Sequence, residues 1–361
     1  MDHGARFREA RARLADSEAD ILLLSTGLDL PYLSGYTASP YERLTMLVLP
    51  ESGDAVLVVP ELEAPLVDTS DGLFGVRPWS ETEDPTAIVA DLVGASSVAA
   101  IGDETWSLFL MKLQAHMAKT RFVSATPLTR ELRMRKGPDE LARLRAAGAA
   151  TDRVVAVIPT RQFAGRPEQA VAAEVAALVV EEGHDHSTFT IVASGPNSAS
   201  PHHRTGERIM GEGDSIVIDF GGSLGGYQSD TTRSFHIGEP TQEVSEAFDV
   251  LFAAQRAAVA AVRPGAPCAS IDRAARAVIE DAGYGDAFIH RTGHGIGLAT
   301  HEEPYIVDGN EMPLEPTMAF SVEPGIYIPG RFGMRIEDIV AVTEDGVENY
   351  NNSARQLVVV G

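Results

Sequence analysis

The chain has 361 residues, of which 44% are hydrophobic and 22% charged, a composition typical of globular proteins and a length sufficient for two domains. Its 52 acidic residues outnumber the 29 lysines and arginines, so the formal net charge is −23. Such a surface repels phosphate backbones and acidic lipids, which argues against a nucleic-acid-binding or membrane-binding protein.

Targeting and redox signals are absent from the sequence pattern. The N-terminal segment is a charged amphipathic pattern without a signal-peptide core, and the apolar run at 21–24 is too short to span a bilayer. Cys268 is the single cysteine, so no intrachain disulfide can form. We therefore expect a cytoplasmic protein.

The first third of the chain is predicted to be an α/β unit. A helix over 3–16 precedes the strand ILLLST, and the segment GLDLPYLSGYT is predicted to be loop and turn. Two buried strands, RLTMLVLP and AVLVVP, flank the turn ESGD, and helix and strand then alternate through IVADLV, SVAAIGDE and LFLMKLQAHM. None of these segments carries a catalytic constellation.

A change of character marks a domain boundary at the stretch LRMRKGP. This stretch is basic in an acidic chain, and Pro138 begins a helical pattern with acidic residues in its first turn. The predicted organisation is an N-terminal domain over 1–131, a linker over 132–138 and a second domain over 139–361.

The second domain is predicted to repeat one order of elements. Helix patterns near 139–158 and 167–182 precede strands near 188–194, 215–220 and 230–236; further helix patterns near 242–262 and 269–282 precede strands near 318–323 and 333–343. The order of two helices followed by strands therefore occurs twice. This repetition predicts a domain with pseudo-twofold symmetry.

Each half of the repeat carries two carboxylates in or beside its strands. Asp219 and Asp230 are 11 residues apart, and Glu323 and Glu337 are 14 residues apart. Both separations fit the two arms of a β-hairpin or adjacent strands facing one pocket. A buried carboxylate is costly unless it is paired or binds a metal. A single acid would ordinarily be a structural ion-pair partner, but two matching pairs predict a site for two divalent cations.

His294 is predicted to be the nitrogen ligand of this site. It lies in RTGHGIG, where the flanking glycines permit close approach of the backbone. Oxygen ligands with one imidazole favour manganese, cobalt or iron, and zinc is also compatible. The chemistry expected of two such ions is hydrolysis by a metal-activated water.

Two other patterns suggest different chemistry. Residues 221–225 satisfy G-x-S-x-G and make Ser223 a candidate nucleophile of a serine hydrolase. That motif requires a helix directly after the serine, whereas GGYQSDTTRSF predicts a turn and a strand. The His184-Asp185-His186 segment could hold a metal, but its position predicts a solvated loop.

The chain resembles the pita-bread metallopeptidases, a family that includes prolidase (Xaa-Pro dipeptidase), aminopeptidase P and methionine aminopeptidase, with creatinase as a metal-free relative. The resemblance lies in the five ligand positions and in the segments LRMRKGPDELARLRAA, YLSGY and YERLTMLVLP. The resemblance covers nearly the whole chain and implies an α/β creatinase-type N-terminal domain followed by an α+β pita-bread catalytic domain. That N-terminal domain favours the proline-specific branch. We expect an Xaa-Pro dipeptidase; the alternatives are an aminopeptidase P acting on longer peptides and a non-catalytic peptide-binding protein on the same fold.

The resemblance also implies roles for the metal ligands. Asp219 would bind one metal, Asp230 and Glu337 would bridge both, and His294 and Glu323 would complete the second. Glu323 would in addition carry a proton to the leaving proline nitrogen. Because all five positions are retained, a creatinase-like activity is not expected.

Further residues acquire substrate roles from the same resemblance. His202 and His301 would contact the substrate or its oxyanion, and His290 would line the site. Arg335 would orient a metal ligand or the substrate by a forked contact. Tyr305 follows HEEP, where some prolidases have an arginine that holds the substrate carboxylate, so we expect that carboxylate to be held weakly. A homodimer in which the N-terminal domain borders the neighbour's pocket is also implied.

Overall fold

The computed structural model describes residues 1–361, which divide into two units, Met1–Arg133 and Met134–Gly361. The division lies within the segment 132–138. There the last helix of the first unit ends at Met134, and the next helix begins at Pro138. No helix in the structure combines the length and the apolar character that a membrane crossing requires.

The first unit contains a six-stranded sheet and five helices. The strands are β1 Ile21–Leu24, β2 Met46–Pro50, β3 Val56–Pro60, β4 Gly75–Trp79, β5 Val98–Ile101 and β6 Arg121–Ser124; the helices are α1 His3–Ala15, α2 Asp29–Ser34, α3 Pro85–Val93, α4 Ser107–His116 and α5 Thr126–Met134. The strand order in the sheet is β4-β3-β2-β1-β5-β6. All four residues of the central strand β1 are buried, as expected for a strand with apolar neighbours on both sides.

The helix α2 corrects a sequence prediction, because GLDLPYLSGYT was expected to be loop and turn. Pro31 occupies the first turn of this short helix, where a missing N–H costs no hydrogen bond. Gly35 ends the helix with a φ of 73°, a left-handed conformation that glycine adopts without strain.

Matching helices confirm the predicted repeat in the second unit. The helices α6 Pro138–Val157 and α8 Gln242–Ala261 have 20 residues each, and α7 Glu168–Glu181 and α9 Cys268–Asp281 have 14 each. Each half builds its own hydrophobic core, since α6 and α7 pack with apolar residues such as Ile218, and α8 and α9 pack with residues such as Phe320. The two halves therefore fold on the same plan.

Two sheets carry the strands of this unit. The first contains β7 His186–Ser194, β8 Ser215–Leu224, β9 Tyr227–Gln228, β10 Thr231–Ile237 and β18 Val358–Val360; the second contains β11 Gly293–Gly295, β12 Glu302–Ile306, β13 Ala319–Val322, β16 Asp338–Val342 and β17 Val347–Asn349; a separate hairpin is formed by β14 Gly325–Ile328 and β15 Phe332–Arg335. The single strand predicted at 333–343 is thus divided into β15 and β16. It is interrupted at Glu337, which forms a bridge to Thr232 of the first sheet.

Close packing in this unit can be tested at Gly148 in α6. A Cβ atom there would lie 2.5 Å from the carbonyl oxygen of Tyr350, so Gly148→Ala should destabilise the protein by about 1–3 kcal/mol although alanine favours helices. Gly346→Ala is the control, because nothing lies within 4 Å of its Cβ position. Denaturant unfolding measures both, and equal stabilities of the two variants would contradict the packing argument.

Candidate active site

Strand ends from both halves bring the five predicted metal ligands together. Asp219 lies in β8, His294 lies in β11, and Asp230, Glu323 and Glu337 lie next to strand ends. Their ligand atoms form two groups, Asp219, Asp230 and Glu337, and His294, Glu323 and Glu337, and within each group all atoms lie within 4.8 Å of one another. The groups share Glu337, so the two clusters are contiguous.

His294 presents a free nitrogen to the acids. Its Nδ1 lies 3.1 Å from the Gly295 carbonyl oxygen and donates to it, which leaves Nε2 3.3 Å from Glu323 and 3.7 Å from Asp230. Burial, reinforced by His301, lowers the pKa of His294 to about 3. The imidazole is therefore neutral, with a lone pair directed at the carboxylates.

The carboxylates repel one another at this distance. Burial, followed by the charge of Glu337, raises the pKa of Asp230 well above its usual range, and burial and the charge of Glu323 do the same for Glu337. Burial also raises the pKa of Glu323 to about 7, with Asp219 adding to the shift. Four acids this close cannot all ionise without additional positive charge.

The surroundings of Asp219 indicate that bound cations supply this positive charge. Its Oδ2 lies 2.5 Å from Arg335 Nη2, whereas its Oδ1 is buried and accepts no hydrogen bond. An unpartnered buried carboxylate oxygen is unusual and calls for a ligand. With one guanidinium against four carboxylates, the cluster has a formal charge of −3 when ionised. Oxygen donors with one imidazole fit two divalent cations.

Two hydroxyl side chains that the sequence did not single out hold the ligands in place. Thr232 Oγ1 donates to Glu337 Oε2 at 2.6 Å and accepts from Arg335 Nε at 3.0 Å. Ser321 Oγ donates to Glu323 Oε1 at 3.0 Å and accepts from the His294 amide at 3.0 Å. Each hydroxyl therefore fixes a ligand and a neighbouring residue together.

Arg335 donates a hydrogen bond to one of the predicted metal ligands, Asp219. Besides Asp219 it donates to the Tyr327 hydroxyl at 3.0 Å, and it is buried. That hydroxyl lies 3.0 Å from His290 Nε2, and His290 Nδ1 lies 2.7 Å from the Arg291 carbonyl oxygen. Burial lowers the pKa of His290 to about 4, so the ring is neutral. Both of its nitrogens are occupied by contacts within the protein. His290 can offer its ring face to a ligand.

A cavity of about 590 Å³ lies over the cluster, within the usual size range of small-molecule sites. Besides the acids, its walls include Phe189, Ile191, Pro201, His202, His290, Arg291, Thr300 and His301. His202 and His301 are exposed and form no hydrogen bond inside the chain. The ring centroid of His301 lies 3.9 Å from that of His294. Two imidazoles are thus available to a ligand beside the candidate metal centre.

Tyr305 does not line this cavity. It pairs with His294 across β11 and β12, and its ring centroid lies 4.3 Å from the guanidinium carbon of Arg291. Arg291, which contacts the ring of Tyr305, does line the cavity. The sequence interpretation did not single out Arg291.

Two further sequence interpretations have different outcomes: the turn and strand predicted after Ser223 are confirmed, whereas the solvated loop predicted at His184 is wrong. Ser223 is buried within β8, opposite His186 and Gln228, and the next element is the strand β9. Without a following helix there is no nucleophile elbow, so the serine hydrolase alternative is wrong. His184 was expected in a solvated loop but is buried, with Nε2 2.9 Å from Ser229 Oγ, next to Asp230.

The support from Thr232 can be tested by Thr232→Val, which keeps the shape and removes the hydroxyl. We expect metal affinity to fall about 10- to 100-fold, because Glu337 and Arg335 lose their shared partner. Thr343→Val, which removes only a surface contact to Asp345, should leave affinity unchanged. Titration calorimetry with manganese measures this, and unchanged affinity in Thr232→Val would count against a positioning role.

Comparison with known proteins places this site in a family. Residues 142–344 match the metallopeptidase family M24, and residues 6–135 match the creatinase/prolidase N-terminal domain. The crystal structure of dipeptidase PepE from Mycobacterium ulcerans is 47% identical with a TM-score of 0.94, over 99% of this chain and 98% of that one. A prolidase from Thermococcus sibiricus is 34% identical with a TM-score of 0.95, over 100% of both chains.

A curated relative gives the same result from sequence. The Xaa-Pro dipeptidase of Lactobacillus helveticus is 33% identical over 358 residues, which cover 96% of each chain. The α/β creatinase-type domain and the pita-bread catalytic domain expected from the resemblance are confirmed. The chain belongs to metallopeptidase family M24 and is a metal-dependent peptidase.

Proposed function

We propose that this metallopeptidase hydrolyses the Xaa-Pro bond of dipeptides at a dinuclear metal centre. The observation that carries the proposal is the pair of ligand groups that share Glu337 beneath a cavity of small-molecule size. The relatives named prolidase and Xaa-Pro dipeptidase support the choice of substrate. A non-catalytic binding protein on the same fold is disfavoured, because all five ligand positions are occupied by ligand-type residues.

Five side chains would hold the metals. Asp219 would bind one ion, His294 and Glu323 the other, and Asp230 and Glu337 both. Two divalent cations supply Lewis acidity, which makes water nucleophilic at neutral pH and polarises the scissile carbonyl. The donor set favours manganese or cobalt, while iron and zinc are also compatible.

The chain's own residues then manage protons and the substrate. Glu323, aligned by Ser321, would take the proton from the attacking water and deliver it to the proline nitrogen as the C–N bond breaks. His202 and His301 would donate to the carbonyl oxygen as negative charge develops on it. Each is free of other hydrogen bonds and borders the cavity.

The walls of the cavity suit a proline ring. Phe189, Ile191 and the ring of His290 offer apolar surface. Proline makes a tertiary amide with no N–H, so the subsite needs shape rather than a hydrogen-bond acceptor for that atom. Shape alone usually discriminates by roughly 10- to 200-fold, which is the preference expected for Ala-Pro over Ala-Ala.

Metal removal tests the proposed mechanism. Hydrolysis of Ala-Pro should disappear with EDTA and return with manganese, because the ligands depend on added cations for their charge balance. Full activity in protein shown by elemental analysis to be metal-free would refute the mechanism.

Substrate length is tested separately. The value of kcat/KM should be higher for Ala-Pro than for Ala-Pro-Ala. A tripeptide preference would instead identify an aminopeptidase P.

Asp230→Asn should cost more activity than His301→Ala. Asp230 belongs to two groups of candidate ligands, one with Asp219 and Glu337 and one with His294 and His301, so loss of its charge should also reduce the bound metal. His301 would supply a polar contact worth about 2–4 kcal/mol in the transition state. Kinetics with metal analysis of each variant decide this; equal losses with both metals retained in Asp230→Asn would contradict the assignment.

A cytoplasmic homodimer is part of the same proposal. Leu62 and Leu66 of the first unit are 74% and 73% exposed, and such apolar side chains are readily covered by a second copy. A single cysteine needs no oxidising compartment. Light scattering should give twice the 38.5 kDa chain mass. A fully active monomer would overturn the dimer.

A further inference from the structure

Glu168 is a completely buried carboxylate that lies outside the metal cluster. It is the first residue of α7, but its contacts do not cap that helix. Its Oε1 accepts from the Ser194 amide at 2.8 Å, from the Ser194 hydroxyl at 2.6 Å and from the Asn197 side chain at 3.1 Å, and its Oε2 accepts from His203 Nε2 at 3.0 Å. All of these donors lie in the segment 194–203. This carboxylate therefore satisfies its lone pairs by holding that segment.

The segment opens the connection between β7 and β8, which carries part of the cavity wall. The connection covers residues 195–214 and contains only a short 3-10 turn at Gly195–Ala199. Long connections of this kind in compact domains usually have a functional role. Pro201 and His202 line the cavity. Because His202 is exposed and forms no hydrogen bond inside the chain, its position depends on how the backbone around it is held.

Two consecutive histidines lie in this segment, and Glu168 distinguishes them. The imidazole of His203 is engaged by the buried carboxylate, whereas that of His202 borders the cavity. An ionised carboxylate only accepts hydrogen bonds, so it requires the N–H of one ring and leaves the other free. The contact therefore decides which imidazole faces a ligand. Ser194, held by the same carboxylate at the end of β7, fixes the start of the segment.

The other half of the domain contains a matching arrangement. Asp272, in the second turn of α9, is also completely buried and accepts from both the amide and the hydroxyl of Thr292, at 3.0 and 2.8 Å. Arg276, paired with Asp272, donates to the carbonyl oxygens of Phe288 and His290, each at 3.0 Å. The segment held in this way brings His290 to the cavity wall. Each half thus uses a buried carboxylate of its 14-residue helix to hold one cavity segment.

We propose that Glu168 is a positioning residue that directs the imidazole of His202 toward the scissile carbonyl through its hydrogen bonds to His203 and Ser194. The inference rests on the proposed function, in which His202 donates to that carbonyl oxygen. Glu168 does not line the cavity and contacts no predicted metal ligand. Its loss should therefore lower turnover and leave metal binding unchanged, because a donor displaced from the transition state costs kcat.

Two variants remove the contact from its two sides. Glu168→Ala deletes the carboxylate, and His203→Phe keeps a ring but removes the N–H donor. In each variant we expect kcat for Ala-Pro to fall about 10- to 100-fold while KM changes less than about threefold. Manganese affinity, measured by titration calorimetry, should stay at the wild-type value. His203→Gln should recover most of the activity, since its side-chain amide again offers an N–H to Glu168.

Glu174→Ala is the matched control. Glu174 lies in the same helix, and its carboxylate forms a surface ion pair with Arg166 at 2.8 Å. This variant should leave kcat unchanged, because the loss of such a pair affects stability little and does not touch the segment 194–203.

The His202→Ala background separates positioning from general structural support. If Glu168 acts through His202, adding Glu168→Ala to His202→Ala should change kcat less than about threefold, since the group that it positions is already gone. A further loss as large as in the wild-type background would overturn the inference, because it would show that Glu168 supports the whole site. His203→Phe in the same background gives the same test if Glu168→Ala does not fold.

Histidine side-chain NMR supplies a readout independent of turnover. With isotope-labelled histidine, the ring signals of His202, assigned by their absence in His202→Ala, should shift in His203→Phe; unshifted signals would contradict the inference. If His202→Ala impairs Ala-Pro hydrolysis but Glu168→Ala and His203→Phe behave like Glu174→Ala, the inference fails while the proposed function stands. If the wild type does not cleave Ala-Pro, the proposed function fails and this inference fails with it.

Discussion

Repulsion among four buried carboxylates is the constraint on which this structure depends. Asp219, Asp230, Glu323 and Glu337 converge in a buried site. Burial raises the pKa values of Asp230, Glu323 and Glu337, and the one guanidinium among the four acids, on Arg335, cannot neutralise the set. A fold that holds such a cluster needs rigid elements around it and cations within it. The unpartnered Asp219 Oδ1 is the clearest sign of the second requirement.

The repeated architecture supplies the rigid elements that surround the cluster. Each half supplies helices of the same lengths and a sheet with two acids, and the sheets meet at the bridge between Thr232 and Glu337. Gly293 permits that convergence near His294, because a Cβ atom there would collide with the carbonyl oxygen of Ser321. Since ligands come from strands and their ends, not from long loops, the site is held with little conformational freedom.

The sequence predicted the helices of the repeat within one or two residues, because apolar periodicity and N-terminal prolines are local signals. It also identified the acids, which stand out against apolar strands. Thr232 and Arg291 were missed for a common physical reason: each matters through a contact that is distant in sequence or lies across strands. Threonine in a strand and arginine in a loop are ordinary locally, so no pattern distinguishes them.

The metal ligands and the cavity wall carry opposite charges. The acidic cluster needs cations, and a neutral imidazole such as His294 can share in binding them without adding charge. Arg335 is held by Asp219 within the cluster, whereas Arg291 in the cavity wall has no acidic partner and contacts the ring of Tyr305. The site therefore combines an excess of negative charge at the metal ligands with an uncompensated positive charge in the wall, and both charges act on any charged ligand that enters the cavity.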